Sequence, residues 1–238
     1  MKISLILATR NRAPRLTDLL NSIIETCSDI SKIEIVIRMD SDDIQSPLVV
    51  KQFQSKLNII PCISKRIPHL GQCYNEACAL SSGEIIVFIS DDNVFKSKDW
   101  DIIAEKEICK FADKIVLLFG KDGSLYGNGP THFFIHRNWI NVLGYFEPEK
   151  FIHFCGDVWL QDIAKRIDRY VFTPEIFVDH LHYVFGQASI DSVYSDAAPH
   201  MLNDNALNDS PESVNERIQD ANKLLEFIRN YKENNDEK

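Results

Sequence analysis

The chain has 238 residues, 45% hydrophobic and 26% charged, the balance of an ordinary soluble globular protein with one substantial core or two small ones. Its formal charge of −9 argues against a duplex nucleic-acid binder, which needs clustered Lys and Arg. No stretch approaches the roughly 20 apolar residues of a spanning helix, and the opening run, closed by Arg10, is too short for a signal peptide. The expectation is a cytoplasmic protein without nucleic-acid partners, with peripheral membrane contact left open. Acidity does not exclude an anionic nucleotide, because a metal can stand between carboxylates and phosphates. Six cysteines at 27, 62, 73, 78, 109 and 155 form no C-x-x-C pair and read as small buried hydrophobes in a reducing compartment.

Ile3 to Ala8 is a continuous apolar run, as in a strand buried on both faces of a parallel sheet. After Thr9-Arg10-Asn11-Arg12, Pro14 stands near a helix start, and Leu16, Leu19, Leu20, Ile23, Ile24 and Cys27 repeat on one helical face. Ile33 to Met39 is a second strand that runs into Asp40-Ser41-Asp42-Asp43. Leu57 to Ile63 predicts a strand, Gly71 to Leu80 a helix, and Glu84 to Ile89 a buried strand ending in Ser90-Asp91-Asp92-Asn93. A helix around 99–111 and a strand at 114–119 follow. Such alternation implies an α/β fold with a mostly parallel sheet and helices on both faces. Ligands bind such sheets at the carboxyl ends of the strands, where three of these polar clusters converge.

Glycines 120, 123, 127 and 129 predict a mobile loop or lid. Beyond it, 137–143 and 158–167 read as helical and 170–173 as a strand. The polar stretch 203–209 reads as a linker. Ser210 and Pro211 then open a last helix with an apolar stripe of Val214, Ile218, Ala221, Leu225 and Ile228.

The ordered set of pieces resembles family 2 glycosyltransferases of the GT-A fold. Ile3 to Arg12 is similar to that family's first strand and its T-x-N-R-type turn. Asp40 resembles the base-binding aspartate, and Gly71 to Ala77 followed by Gly83 to Asn93 looks like the stretch leading to the DXD motif. The similarity is close over residues 1 to 100 and looser over 101 to 185, and it ends near 190. It implies one Rossmann-like GT-A domain over 1–200, with a nucleotide-sugar-binding half (1–100) and an acceptor-side half (101–190). Residues 201–238 would then be linker and C-terminal amphipathic helix.

Two adjacent carboxylates at a buried strand end repel each other, so something positive should compensate Asp91 and Asp92. Oxygen ligands suit Mn2+ or Mg2+. By the resemblance, Asp92 holds the metal and Asp91 faces the ribose or the sugar. Asn93 departs from the relatives' third carboxylate and brings no charge. The competing reading is an acidic turn that caps the next helix.

Asp40 suits the N3–H of uracil, with Thr9 and Arg10 joining it in the nucleotide site. A plain turn aspartate is its alternative. Arg66 reads either as a diphosphate contact or as a solvated basic turn. Asp157, in Cys155-Gly156-Asp157-Val158-Trp159, fits the general base of an inverting transferase, although Gly-Asp before a helix is also an ordinary N-cap. Asp162, four residues before Arg166, reads as a surface helix pair. His180 and His182 share one face of an extended segment and are candidates to complete the metal shell, or structural histidines. Trp139 and Trp159 read as core rather than as a sugar-stacking platform.

The expected activity is transfer of a sugar from a UDP-sugar (or dTDP-sugar) to a hydroxyl acceptor, a glycan, lipid-linked glycan or small molecule. A nucleotidyltransferase of similar fold would need a glycine in its phosphate loop, which Thr9 to Ala13 lacks. An inactive nucleotide-sugar-binding module is the other rival.

Overall fold

The runs Ile3–Thr9 (β1) and Ile33–Asp40 (β2) are buried along nearly their whole length, which is why they read as unbroken apolar segments. The computed structural model describes residues 1–123, 130–183 and 186–236. Asn58–Ser64 (β3), Ile85–Phe88 (β4), Asn93–Phe95 (β5), Leu117–Lys121 (β6), Phe133–His136 (β7) and Tyr170–His180 (β8) complete one sheet. Its order is β3-β2-β1-β4-β7-β6-β8-β5. The pairs β1–β2, β2–β3, β1–β4 and β6–β8 are parallel. Those of β7 with β4 and β6, and of β5 with β8, are antiparallel. The α/β class and the mostly parallel sheet therefore hold. The two short strands that interrupt the parallel pattern are too brief for any periodicity to announce them.

Alternation along the strands divides the core between the two faces. Leu5, Leu7, Ile35 and Ile37 point to one side, against Ala13–Thr26 (α1), Ser46–Phe53 (α2) and Trp100–Cys109 (α4). Ile6, Val36 and Ile86 point to the other, against Leu70–Ala79 (α3), Arg137–Leu143 (α5), Gly156–Arg166 (α6) and Pro211–Asp236 (α9). Two further helices, Ser192–Ala197 (α7) and Met201–Asn208 (α8), precede α9. No described helix is long and apolar enough to cross a membrane.

Several expectations need correction. The supposed linker at 203–209 lies largely within α8, where Asp204 is buried and accepts the backbone N–H groups of Ile152, His153 and Phe154. Ser210 does cap α9, accepting from Ser213 N. The buried stripe of that helix is rotated, however. Ile218 and Leu225 are exposed, whereas Arg217, Asp220 and Leu224 are buried beside Ala221 and Ile228. The facing helix dictates this: Arg217 stacks over Trp159 at 4.9 Å and pairs with Asp162 at 2.6 Å. Asp162 also pairs with Arg166 at 2.8 Å, as its spacing predicts. Helix α2 has no forecast, yet Asp43 marks its start by accepting from the backbone N–H groups of Gln45 and Ser46 and the Ser46 hydroxyl. All six cysteines are free, but only Cys73, Cys78 and Cys155 are buried and Cys109 is exposed. The glycine-rich expectation divides: Gly120 lies within β6, and 124–129 fall outside the described residues.

Candidate active site

At the carboxyl ends of β1, β2 and β4 opens a cavity of about 700 Å³. Thr9, Arg10, Asp40, Arg66, Asp91, Asp92, Asp157, His180 and His182 all line it, so the nine residues singled out in the sequence converge on one space. Trp139 and Trp159 do not line it; both are core residues, 0% and 2% exposed.

One end is a lattice of carboxylates and guanidinium groups. Asp40 is buried at the end of β2, and its two oxygens meet Arg38 and, at 2.8 Å, Arg10. Arg10 also forks onto Asp42, whose carboxyl is held below its ordinary pKa by that hydrogen bond. Arg66 is exposed and pairs with Asp196 at 2.9 Å.

Asp91 and Asp92 are each 3% exposed. Asp91 accepts from Thr9 Oγ1 at 2.8 Å and from Arg12 at 3.0 Å. Asp92 Oδ1 accepts from the Ser90 hydroxyl at 2.6 Å, and its Oδ2 accepts from the Tyr194 hydroxyl at 2.6 Å. Arg15 lies 3.3 Å and Arg12 3.5 Å from that second oxygen. The expected positive compensation is thus present, supplied by two arginines of the β1–α1 turn. The two carboxyls nonetheless diverge. Burial pushes Asp91 up against the pull of Arg12, whereas in Asp92 burial is outweighed by His180, Ser90 and Tyr194, which hold it well below the usual range.

Asn93 plays no part in the cavity, because its amide oxygen takes the N–H and O–H of Ser90 and fastens the turn. Nor do Asp91 and Asp92 cap the next helix, since Asn93 continues into β5.

A metal would fit this end only with part of its coordination supplied from outside the protein. Asp92 Oδ1 and His180 Nε2 are 3.3 Å apart, and the buried His180 Nδ1 has no hydrogen-bond partner among the described residues. His182, whose ring lies 5.1 Å from that of His180, is pushed down to about 4 by burial and by His180, so at neutral pH its imidazole is uncharged, as a ligand must be. Among the described residues, no group of three His, Cys, Asp or Glu side chains is arranged to hold an ion. One carboxylate plus imidazole suits Mn2+ or Mg2+ completed by substrate phosphates and water rather than by a protein cage.

The opposite wall is different. Asp157 is the second residue of α6, behind Cys155 in the left-handed region (φ 72°). Its carboxylate accepts from Val158 N at 2.8 Å, and the cap position of α6 is Cys155, with no side-chain cap bond, so the N-cap reading of Gly-Asp does not hold. Burial raises its pKa. Beside it stands Glu147, 2% exposed, with Oε1 buried and without a hydrogen-bond partner among the described residues. Burial first, and the charge of Asp157 second, push Glu147 well above an ordinary carboxyl.

Two glycines make room for this wall. A Cβ at Gly156 would lie 2.2 Å from Glu147 Oε2, and one at Gly71 would lie 2.1 Å from the Pro148 carbonyl oxygen. Asn75 on α3 then fixes the segment, accepting from the N–H groups of Phe146 and Glu147 and donating to the Glu147 carbonyl.

Glu147, Arg15 and Tyr194 had no place in the sequence expectations, and Arg12 stood there only as part of the turn after the first strand. Arg12 and Arg15 were findable by asking what neutralises Asp91 and Asp92, being three residues apart at the entry to α1. Glu147 carried only a weak signal, an acid following Gly144-Tyr145-Phe146.

Residues 4–141, more than half of the chain, match the model of glycosyl transferase family 2. The fold is similar to that of Staphylococcus aureus TarS 1-349 in complex with UDP, at TM-score 0.61 and 18% identity, over 74% of this chain and 60% of that one. The same TarS segment in complex with UDP-GlcNAc gives TM-score 0.62 and 16% identity over 91% and 69%. The mannosyltransferase PcManGT from Pyrobaculum calidifontis, in complex with GDP-Man and Mn2+, gives 0.68 and 15% over 97% and 73%. At these identities the likeness is one of fold. The chain spans 60% of the first TarS structure. No curated protein matches the sequence.

Proposed function

Because the chain belongs to glycosyl transferase family 2, we propose that it transfers a sugar from a UDP-sugar (or dTDP-sugar) to an acceptor hydroxyl with inversion. The observation that carries this reading is the single cavity joining a carboxylate–arginine lattice at the strand ends to two carboxyls that have no ion-pair partner among the described residues on the facing wall.

In this reading Asp40 accepts the uracil N3–H, and Thr9 and Arg10 line the base and ribose side. Arg66 contacts the diphosphate and Asp91 the ribose or the sugar. Asp92 and His180, with His182 behind them, would hold Mn2+ or Mg2+, which when bound offsets charge on the departing diphosphate. Asp157 takes the proton of the acceptor hydroxyl as its oxygen attacks the anomeric carbon. The bond from that carbon to the diphosphate oxygen breaks, and its electron pair leaves with the nucleotide. A carboxylate whose pKa burial has raised is a stronger base than an exposed one. Acceptors of any class that presents a hydroxyl suit this chemistry.

Thermal unfolding with UDP, with and without Mn2+, tests the reading. At about 100 times Kd, UDP with Mn2+ should stabilise the wild type by about 2.7 kcal/mol. Chelation or Asp92→Ala should remove most of that gain. Equal stabilisation with and without metal would overturn the role given to Asp92.

A further inference from the structure

A two-pronged anion contact to Arg12, which lines the cavity, is made by the chain to itself. Asp191 grips Arg12 with both oxygens, at 2.8 Å to Nε and 2.9 Å to a terminal nitrogen, and lies 3.3 Å from Arg15. Two parallel N–H···O bonds to a planar anion are the geometry arginine uses for carboxylate and phosphate alike. Three residues on, the Tyr194 hydroxyl accepts from Arg15 at 2.8 Å and donates to Asp92 at 2.6 Å, while its ring lies 4.3 Å beneath the Arg12 guanidinium. Asp196 takes Arg66. The segment at α7 thus covers three cations of the donor end and one oxygen of Asp92. It lies outside the part of the chain that matches the family model.

From this arrangement we infer that Arg12 and Arg15 are the seat for the diphosphate of the nucleotide donor, and that the Asp191–Asp196 segment is a built-in competitor occupying it until the nucleotide arrives. The inference rests on the donor assignment above. Arg12 is only 7% exposed and already bonded to Asp91, so its position is set whether or not Asp191 is present. Asp191 is 30% exposed at its side chain, and the Arg66–Asp196 pair is more than half exposed on both partners. When the segment leaves, Arg12 keeps its bond to Asp91, and the exposed Arg66–Asp196 pair is of a kind that holds weakly. A diphosphate brings more negative charge and more acceptor oxygens to the same guanidinium groups than one carboxylate does. When α7 lifts, Asp92 loses the tyrosine hydroxyl and gains a free oxygen for a cation that enters with the diphosphate.

The competition is measurable by titrating UDP, with Mn2+ present, into the wild type and two variants. Asp191→Asn keeps the caps that Asp191 gives to Val193 N and Tyr194 N but deletes the charge facing Arg12. Tyr194→Phe keeps the ring and deletes the hydroxyl that joins Arg15 to Asp92. If the segment is shut in about nine molecules of ten, releasing it lowers the apparent Kd for UDP by about tenfold. Asp191→Asn should approach that limit and Tyr194→Phe should move the same way by less. Inorganic pyrophosphate should show the same order. Hydrogen exchange at residues 191–197 of the wild type should speed up when UDP is added.

Wild-type binding of UDP with unchanged affinity in both variants would overturn the competitor and leave the donor assignment standing. Weaker binding in the variants, with residues 191–197 protected by UDP, would also overturn it, since the segment would then be a wall of the donor site. Failure of UDP and pyrophosphate to bind any of the three proteins would overturn the donor assignment, and this inference with it.

Discussion

The two ends of the cavity treat the same functional group in opposite ways. At the strand ends, Asp40, Asp91 and Asp92 each touch at least one guanidinium group. Across the cavity, Asp157 and Glu147 make no ion pair among the described residues. Burial is common to both ends, so the donors around each carboxyl decide the outcome. At Asp92 burial is outweighed by His180, Ser90 and Tyr194, whereas it prevails at Asp157 and, despite Arg12, at Asp91. Asp92 is held well below an ordinary carboxyl and Asp157 above it. One end is built to keep charge, as a polyanionic donor with its counter-cation requires. The other is built to hold and release protons.

The sharpest way to break this contrast is at Asp157. Asp157→Asn should lower turnover by about 10²–10⁴-fold, the usual contribution of a positioned proton acceptor. Affinity for the nucleotide should hardly change, because the carboxylate lies away from the arginine lattice. Since Asp157 caps no backbone group but that of its neighbour, Asp157→Ala should match Asn in rate and cost little stability. In the wild type, kcat/KM should fall on the acid side with a midpoint above that of an ordinary aspartate, following its raised pKa. Full activity of Asp157→Asn on a true acceptor would remove the base from this wall.

A smaller effect is expected at Glu147. Below its ordinary pKa of 4.5 the carboxyl is protonated in both folded and unfolded chains. Above that pH the unfolded chain gives up the proton first, so the wild type loses stability as pH rises. Glu147→Gln has no proton to give up. Its melting temperature relative to wild type should therefore climb from about pH 4 to neutrality. A difference that does not change with pH would mean that the carboxyl is ionised in the folded protein and that the proton-holding wall is misread.

How much of this was legible follows from distance along the chain. Thr9, Arg10, Asp40, Asp91 and Asp92 sit directly after buried apolar runs, so strand position alone gathered them. Asp157 and His180 were placed by resemblance, and the cavity accommodates both. What escaped was non-local or brief. The partner of Arg12 lies 179 residues away, and nothing in a sequence of polar tail residues announces that pairing. Strands β5 and β7 are three and four residues long. Helix α8 read as a linker because its buried face includes Asp204 and Asn208, which satisfy backbone and side-chain groups instead of packing apolar surface. The same error rotated α9, where Arg217 lies inside and Ile218 outside.

The central claim is that the arginine-rich end is the donor end. A crystal structure of the protein with UDP and Mn2+ tests it most directly. The uracil edge should lie against Asp40 and the diphosphate beside Asp92 and His180, with Asp157 and Glu147 left for an acceptor. Nucleotide bound against Glu147 and Asp157, or a diphosphate remote from Asp92, would contradict it.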